Sequence, residues 1–153
     1  MALNAQEIIR ETKKLGRELG LGPDPIVVGF GAALVMRDKL KTETNDIDAY
    51  ITKDSWDKLI AEGYDITRYE NPDIQVIKIR DFELAIYPDP KWIGCWDRIG
   101  GIPVTNLELM LEGYTILNRP KDQPVLELLR EDVRFLRKIE RYKDLHKQVS
   151  RRF

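Results

Sequence analysis

Ile26-Val27-Val28-Gly29-Phe30-Gly31-Ala32, a polar connector, and then Thr44-Asn45-Asp46-Ile47-Asp48-Ala49-Tyr50-Ile51 form the stretch that decides the fold. Its first three residues are a short, continuous apolar run, the pattern of a strand buried on both faces. Gly29 and Gly31 break that run, and Ala32 to Leu40 reads as a helix whose start packs close to the strand. Lys39 to Asn45 is polar and carries no period. From Asp46 the chain alternates strictly. Asp46, Asp48 and Tyr50 share one face, and Ile47, Ala49 and Ile51 share the other.

Outward from this stretch the pattern continues to mix helices and strands. Upstream, Ile8, Ile9, Leu15 and Leu19 recur at helical spacing, and Gly20, Gly22, Pro23 and Pro25 end that helix. Downstream, Thr52 to Asp54 can cap a helix running to about Glu62. Two strands are predicted at roughly Ile74 to Arg80 and Phe82 to Tyr87, with Glu83 on the face opposite Phe82, Leu84 and Ile86. The segment holding Pro88, Pro90, Trp92 and Trp96 reads as irregular chain over the core. Gly100-Gly101 is a turn, Ile102 to Val104 a short strand, and Thr105 or Asn106 caps a helix to about Leu117. After the break at Asn118-Arg119-Pro120-Lys121, a long helix starts at Asp122, with Pro124 in its first turn. The expectation is an α/β (α+β) protein of one domain over residues 1–153, with a mixed sheet, flanking helices, and 105–153 as a C-terminal helical extension.

Composition narrows the chemistry. With 153 residues, 42% hydrophobic and 33% charged, the chain can bury a core of its own and is neither disordered nor membrane-spanning in character. The lone Cys95 excludes an internal disulfide and fits a reducing cytoplasm. Ser55 and Ser150 are the only serines and His146 the only histidine, so no triad of nucleophile and base His is legible. Clustered Cys and His ligands for zinc are missing as well. Carboxylates are plentiful, and they suit hard cations such as Mg²⁺. Elimination points to metal chemistry or to none.

Three features then carry the argument. Glycines after a strand let a ligand approach the backbone, and the following helix start offers N–H groups to phosphate, although tight packing alone also produces such a turn. Asp46 and Asp48, two apart on a strand, project two like charges from one face. That arrangement raises a pKa unless a divalent cation occupies it, or unless both acids are simply solvated. Glu83 completes a three-carboxylate group if its strand neighbours that of Asp46, and otherwise it is an ordinary strand glutamate.

Gly29-Phe30-Gly31-Ala32, the helix after it, and Thr44-Asn45-Asp46-Ile47-Asp48 together resemble the signature of the polymerase-beta-like nucleotidyltransferase superfamily. The similarity is greatest to the small group that includes minimal nucleotidyltransferases and AbiEii-like toxins. Arg119-Pro120-Lys121-Asp122 is similar to a segment that opens a later helix in that group. Phe30 and Ala32 stand where many members carry Ser or Gly, and Glu83 stands where Asp is usual. The resemblance implies an enzyme that moves a nucleoside monophosphate from a nucleoside triphosphate (NTP) to an acceptor. It implies two Mg²⁺ ions held by Asp46 and Asp48, with Glu83 helping to hold the ion nearer the acceptor. It further implies Gly29, Gly31 and Lys121 as nucleotide-binding residues, and a tRNA or other RNA end, or a partner protein, as acceptor. Such catalysis is positioning and charge neutralisation, and needs no His, Ser or Cys.

The altered Gly-Phe-Gly-Ala turn leaves room for a second reading, a non-catalytic module of the same fold that binds a nucleotide, RNA or a partner protein. Other groups have plain alternatives. Lys121 is a phosphate point charge or a solvated residue before a helix. Arg37, Lys39 and Lys41 are a second basic group or a solvated helix end. Leu126, Leu129, Val133, Leu136 and Ile139 give the last helix a packing face, while its Arg and Lys residues either contact an RNA backbone or pair with the interleaved acids. Tyr87, Trp92 and Trp96 stack on a base or fill core, and Cys95 reads as a small buried residue.

Overall fold

A computed structural model of the chain describes residues 2–68, 75–86 and 94–152, with side chains in the last span as far as residue 149. The chain divides into two compact units, Met1–Asn106 and Leu107–Phe153. The first opens with α1 (Ala5–Leu19), whose start carries a capping box: the Asn4 side chain accepts from the Glu7 N–H, and the Glu7 carboxylate accepts from the Asn4 N–H. Gly20 ends it in the left-handed region, with φ 59°. There follow β1 (Val27–Val28), α2 (Phe30–Met36), β2 (Ile47–Ile51), α3 (Lys53–Ala61), β3 (Ile66–Arg68), β4 (Gln75–Ile79), β5 (Phe82–Ile86), β6 (Trp96–Ile99) and β7 (Ile102–Thr105).

All seven strands form one mixed sheet, ordered β3-β4-β5-β2-β1-β7-β6. The pairs β1/β7 and β2/β5 are parallel, and the rest are antiparallel. The apolar run at β1 is as buried as its composition predicts: Val27 and Val28 expose nothing. Along β2 the alternation holds, with Ile47, Ala49 and Ile51 buried and Asp48 and Tyr50 half-buried. Phe82 and Leu84 of β5 continue the same buried layer.

The structure differs from the sequence expectation at the margins of the sheet. The predicted irregular segment includes β6, and β3 is a further strand with no predicted counterpart. These two are the edge strands, and edge strands carry charged and polar residues on both faces rather than a buried apolar row. The helix after the glycine turn also begins earlier, at Phe30 rather than Ala32, and ends at Met36. Ile74, Tyr87, Pro88, Pro90 and Trp92 lie outside the described residues. Trp96 and Cys95 are half-buried, so Cys95 is not the enclosed residue its neighbours suggested.

At the β6–β7 hairpin, Gly100 and Gly101 have φ of 60° and 81°, the geometry of a tight turn that favours glycine at both positions. A Cβ at Gly100 would also stand 2.3 Å from the end of the Ile9 side chain, so α1 packs directly on this turn.

The second unit holds α4 (Leu107–Leu117), a single 3₁₀ turn (Pro120–Asp122) and α5 (Gln123–Arg152). Leu126, Leu129 and Val133 are buried, but Leu136 is 42% exposed and residues 140–149 are exposed throughout. The predicted packing face therefore stops near Val133. The reason is length: α5 has 30 residues and α4 only 11, so α5 outruns its partner. No described helix is long and apolar enough to cross a membrane.

Replacing Asn4 by Ala removes one half of the α1 capping box. Chemical denaturation should show a loss of about 1 kcal/mol, with an unchanged denaturant slope.

Candidate functional site

The site is built where β1 ends. The Gly29 N–H donates to the Asp48 carbonyl at 2.8 Å, extending the β1–β2 ladder by one residue past Val28. This bond sets the glycine turn directly beside the acidic strand. Gly29 itself is extended, with φ −133°, and any residue could adopt that conformation. Space is what favours glycine here: a Cβ would meet the Tyr50 ring at 3.1 Å, and the ring would have to shift by a few tenths of an ångström. Immediately afterwards Phe30 takes φ 48°, an unusual value for a bulky residue, and its ring lies 6.2 Å from that of Tyr50. Backbone strain of this kind clusters at functional sites.

On the other side of β2 lies β5, in parallel register with Asp48 opposite Glu83. Neighbouring strands stand about 4.8 Å apart, so the two carboxylates project from one face of adjacent strands. The next strand continues the row, with Lys78 opposite Glu83. The Lys78 Nζ is 3.7 Å from the Glu83 Oε1, and Glu83 is 22% exposed. Like charges placed side by side disfavour the pairing of their strands, and Lys78 relieves that for Glu83. Asp46 precedes β2, is exposed, and its carbonyl accepts from the Thr44 hydroxyl at 3.1 Å. Among the described residues, no three His, Cys, Asp or Glu side chains gather closely enough to hold a metal ion. What the strands do bring together is the Asp48 and Glu83 pair, with Asp46 two residues before Asp48. Magnesium is typically held by one or two carboxylates together with substrate phosphates, so this donor set fits it.

The basic residues after α2 separate into different roles. Arg37 is nearly buried, 11% exposed, and its NH2 donates to Asp97 at 2.6 Å and to the Thr105 carbonyl at 2.7 Å. It clamps the end of α2 to β6 and β7 and is no solvated helix end. Lys41 instead reaches back over the glycine turn. Its Nζ and the Thr44 hydroxyl each stand 3.5 Å from the point that a Cβ on Gly31 would occupy. The sequence marked Lys41 only as one of a basic group with Arg37 and Lys39, and nothing in its polarity pattern relates it to Gly31. Thr105 comes close from β7: its methyl lies 3.7 Å from a Cβ on Gly29, and its buried hydroxyl has no partner among the described residues.

Lys121 belongs to the second unit, exposed in the 3₁₀ turn. Beside it Asp122 is 6% exposed and accepts from the Arg119 Nε at 2.5 Å, so the Arg-Pro-Lys-Asp segment is held by an internal ion pair.

The chain is similar to ANT(2")-Ia, solved in complex with adenylyl-2"-tobramycin. The two share 17% identity and a TM-score of 0.51, over 89% of this chain and 96% of that one. ANT(2")-Ia is an aminoglycoside nucleotidyltransferase of the polymerase-beta-like superfamily. This is a nucleotidyltransferase fold. No protein-family model matches the sequence, and no curated protein sequence matches it.

Gly29→Ala pushes a methyl against Tyr50 and should cost about 1–3 kcal/mol in denaturant unfolding. In the Gly29→Ala/Tyr50→Leu double variant, which removes the ring, the penalty from the methyl should shrink to less than half.

Proposed function

We propose that this chain is a Mg²⁺-dependent nucleotidyltransferase. It moves a nucleoside monophosphate from an NTP to an acceptor hydroxyl, on an RNA end or a protein side chain. The observation that carries this reading is the in-register Asp48 and Glu83 pair beside the Gly29 turn, at the end of β1 in a nucleotidyltransferase fold.

Asp48 and Glu83, which adjacent strands bring together, would hold magnesium jointly with the triphosphate oxygens, and Asp46, two residues before Asp48, would join them only once the ion is bound. When bound, magnesium neutralises triphosphate charge and lowers the pKa of a hydroxyl. The protein's own part is positioning. The turn at Gly29 to Gly31 brings backbone close to the phosphates, and Lys41 sets a cation over it. The acceptor oxygen attacks the α-phosphorus in line as the bond to the bridging oxygen breaks. Pyrophosphate leaves and the hydroxyl proton passes to water. The Asp48 and Glu83 face is where the acceptor hydroxyl would be oriented for that attack.

The Lys78–Glu83 ion pair and the bulky Phe30 favour one competing reading, a nucleotide-binding module without catalysis. The two separate in a transfer assay. Incubating the chain with α-labelled NTPs, Mg²⁺, total RNA, cell extract and aminoglycosides should label one acceptor class. Asp48→Asn, with an unchanged circular dichroism spectrum, should lower that rate at least about 10³-fold. An absence of label in every acceptor, with NTP binding retained, would make the chain a binding module.

Lys41→Met tests the turn itself. The KM for NTP should rise about tenfold, the equivalent of one lost charged contact, with kcat held within about threefold. Lys41→Arg should recover most of the loss.

A further inference from the structure

At the opposite end of β1 the first unit has a cleft of about 550 Å³ between α1, the 20–26 segment and the β6–β7 hairpin. Gly29 follows Val28, whereas Ile26, which lines the cleft, precedes Val27, so the two sites lie at opposite ends of the same strand. Pockets of about 300–1,000 Å³ are the usual size for small ligands.

Its charge is one-sided. Lys13 and Arg17 stand four residues apart on one face of α1, an arrangement that like charges disfavour. Neither has a carboxylate partner among the described residues. Lys13 and Arg98 converge on one glycine: the Lys13 Nζ lies 3.3 Å from where a Cβ on Gly101 would be, and the Arg98 NH1 is 3.3 Å from the Gly101 carbonyl. The one acid in the lining, Asp24, is turned to structural use. Its Oδ2 accepts from the Thr52 hydroxyl at 3.2 Å and the Ser55 hydroxyl at 3.0 Å. Three cations against one committed carboxylate give a concave surface with a positive potential.

Two further features define what would fit. Thr12, also in the lining, is 4% exposed, and its hydroxyl has no hydrogen-bond partner among the described residues. Buried polar groups nearly always find a partner. A helical threonine has two χ1 wells, so this hydroxyl can turn to a ligand oxygen. The floor is apolar, formed by Leu21, Ile26 and Ile102.

We infer that this cleft binds a phosphate monoester with an apolar or aromatic body. The phosphate is held by Lys13, Arg17 and Arg98, and the body lies on the Leu21–Ile26–Ile102 floor. The site is separate from the Asp48 end and does not depend on the proposed transfer activity.

The glycines report on both ends at once. With ¹⁵N-glycine-labelled protein, inorganic phosphate and phenyl phosphate are titrated in turn. The signals of Gly20, Gly22 and Gly101 should move in fast exchange, and phenyl phosphate should bind at least about fivefold more tightly than phosphate, through the apolar floor. Lys13→Gln/Arg98→Gln should weaken both at least about tenfold, leaving the Gly29 and Gly31 signals in place as a check on the fold. If that double variant unfolds, Arg17→Gln alone should weaken phosphate about threefold to tenfold. Shifts confined to Gly29 and Gly31, equal affinity for the two probes, or unchanged affinity in the variants would each overturn the inference.

Discussion

One backbone hydrogen bond, from the Gly29 N–H to the Asp48 carbonyl, organises the first unit around it. It makes the last rung of the β1–β2 ladder coincide with the acidic position of β2. The chain must then leave the sheet at once, because Phe30 already starts α2. The cost of that exit is visible in the left-handed Phe30 and in the tight approach, 3.1 Å, that a Cβ at Gly29 would make to the Tyr50 ring. A looser turn would relieve both, but it would carry the helix start away from Asp48. The pairing of β2 with β5 then adds Glu83 to the same row, and β4 adds Lys78.

Charge is distributed along the short axis of β1. At one end lie Asp46, Asp48 and Glu83, with Lys41 arching over the turn. At the other end Lys13, Arg17 and Arg98 face a cleft with one committed acid. The two residues of β1 are themselves fully buried between β2 and β7, so the strand serves as an apolar spacer between two oppositely charged surfaces. Separation of this kind stops the two sets from neutralising each other, as they would if ion-paired.

Arginines at two places show why a charged residue cannot be assigned from its neighbours in sequence. Arg37 follows α2 among lysines, yet its guanidinium is spent on Asp97, sixty residues away, and on the Thr105 carbonyl. In the second unit, Arg119 is spent on Asp122 three residues later, which holds the 3₁₀ turn from which α5 departs. Both interactions tie elements together. Lys41 and Lys121, in contrast, keep exposed ammonium groups.

By itself the sequence determined the inner sheet and the local chemistry. The five strands β4, β5, β2, β1 and β7 are legible because burial on one or both faces forces an apolar run or alternation on them. The glycine turn and the two aspartates are each legible as local motifs, a Gly-x-Gly after a strand and an Asp-x-Asp on one. Only the tertiary structure decided what depends on non-local pairing. The edge strands β3 and β6 went unread because solvent places no apolar demand on them. The Asp48–Glu83 register, the clamp made by Arg37, and the approach of Lys41 to Gly31 join residues that no periodicity relates. Periodicity records which face of an element is dry. It holds no information on which strand will lie alongside.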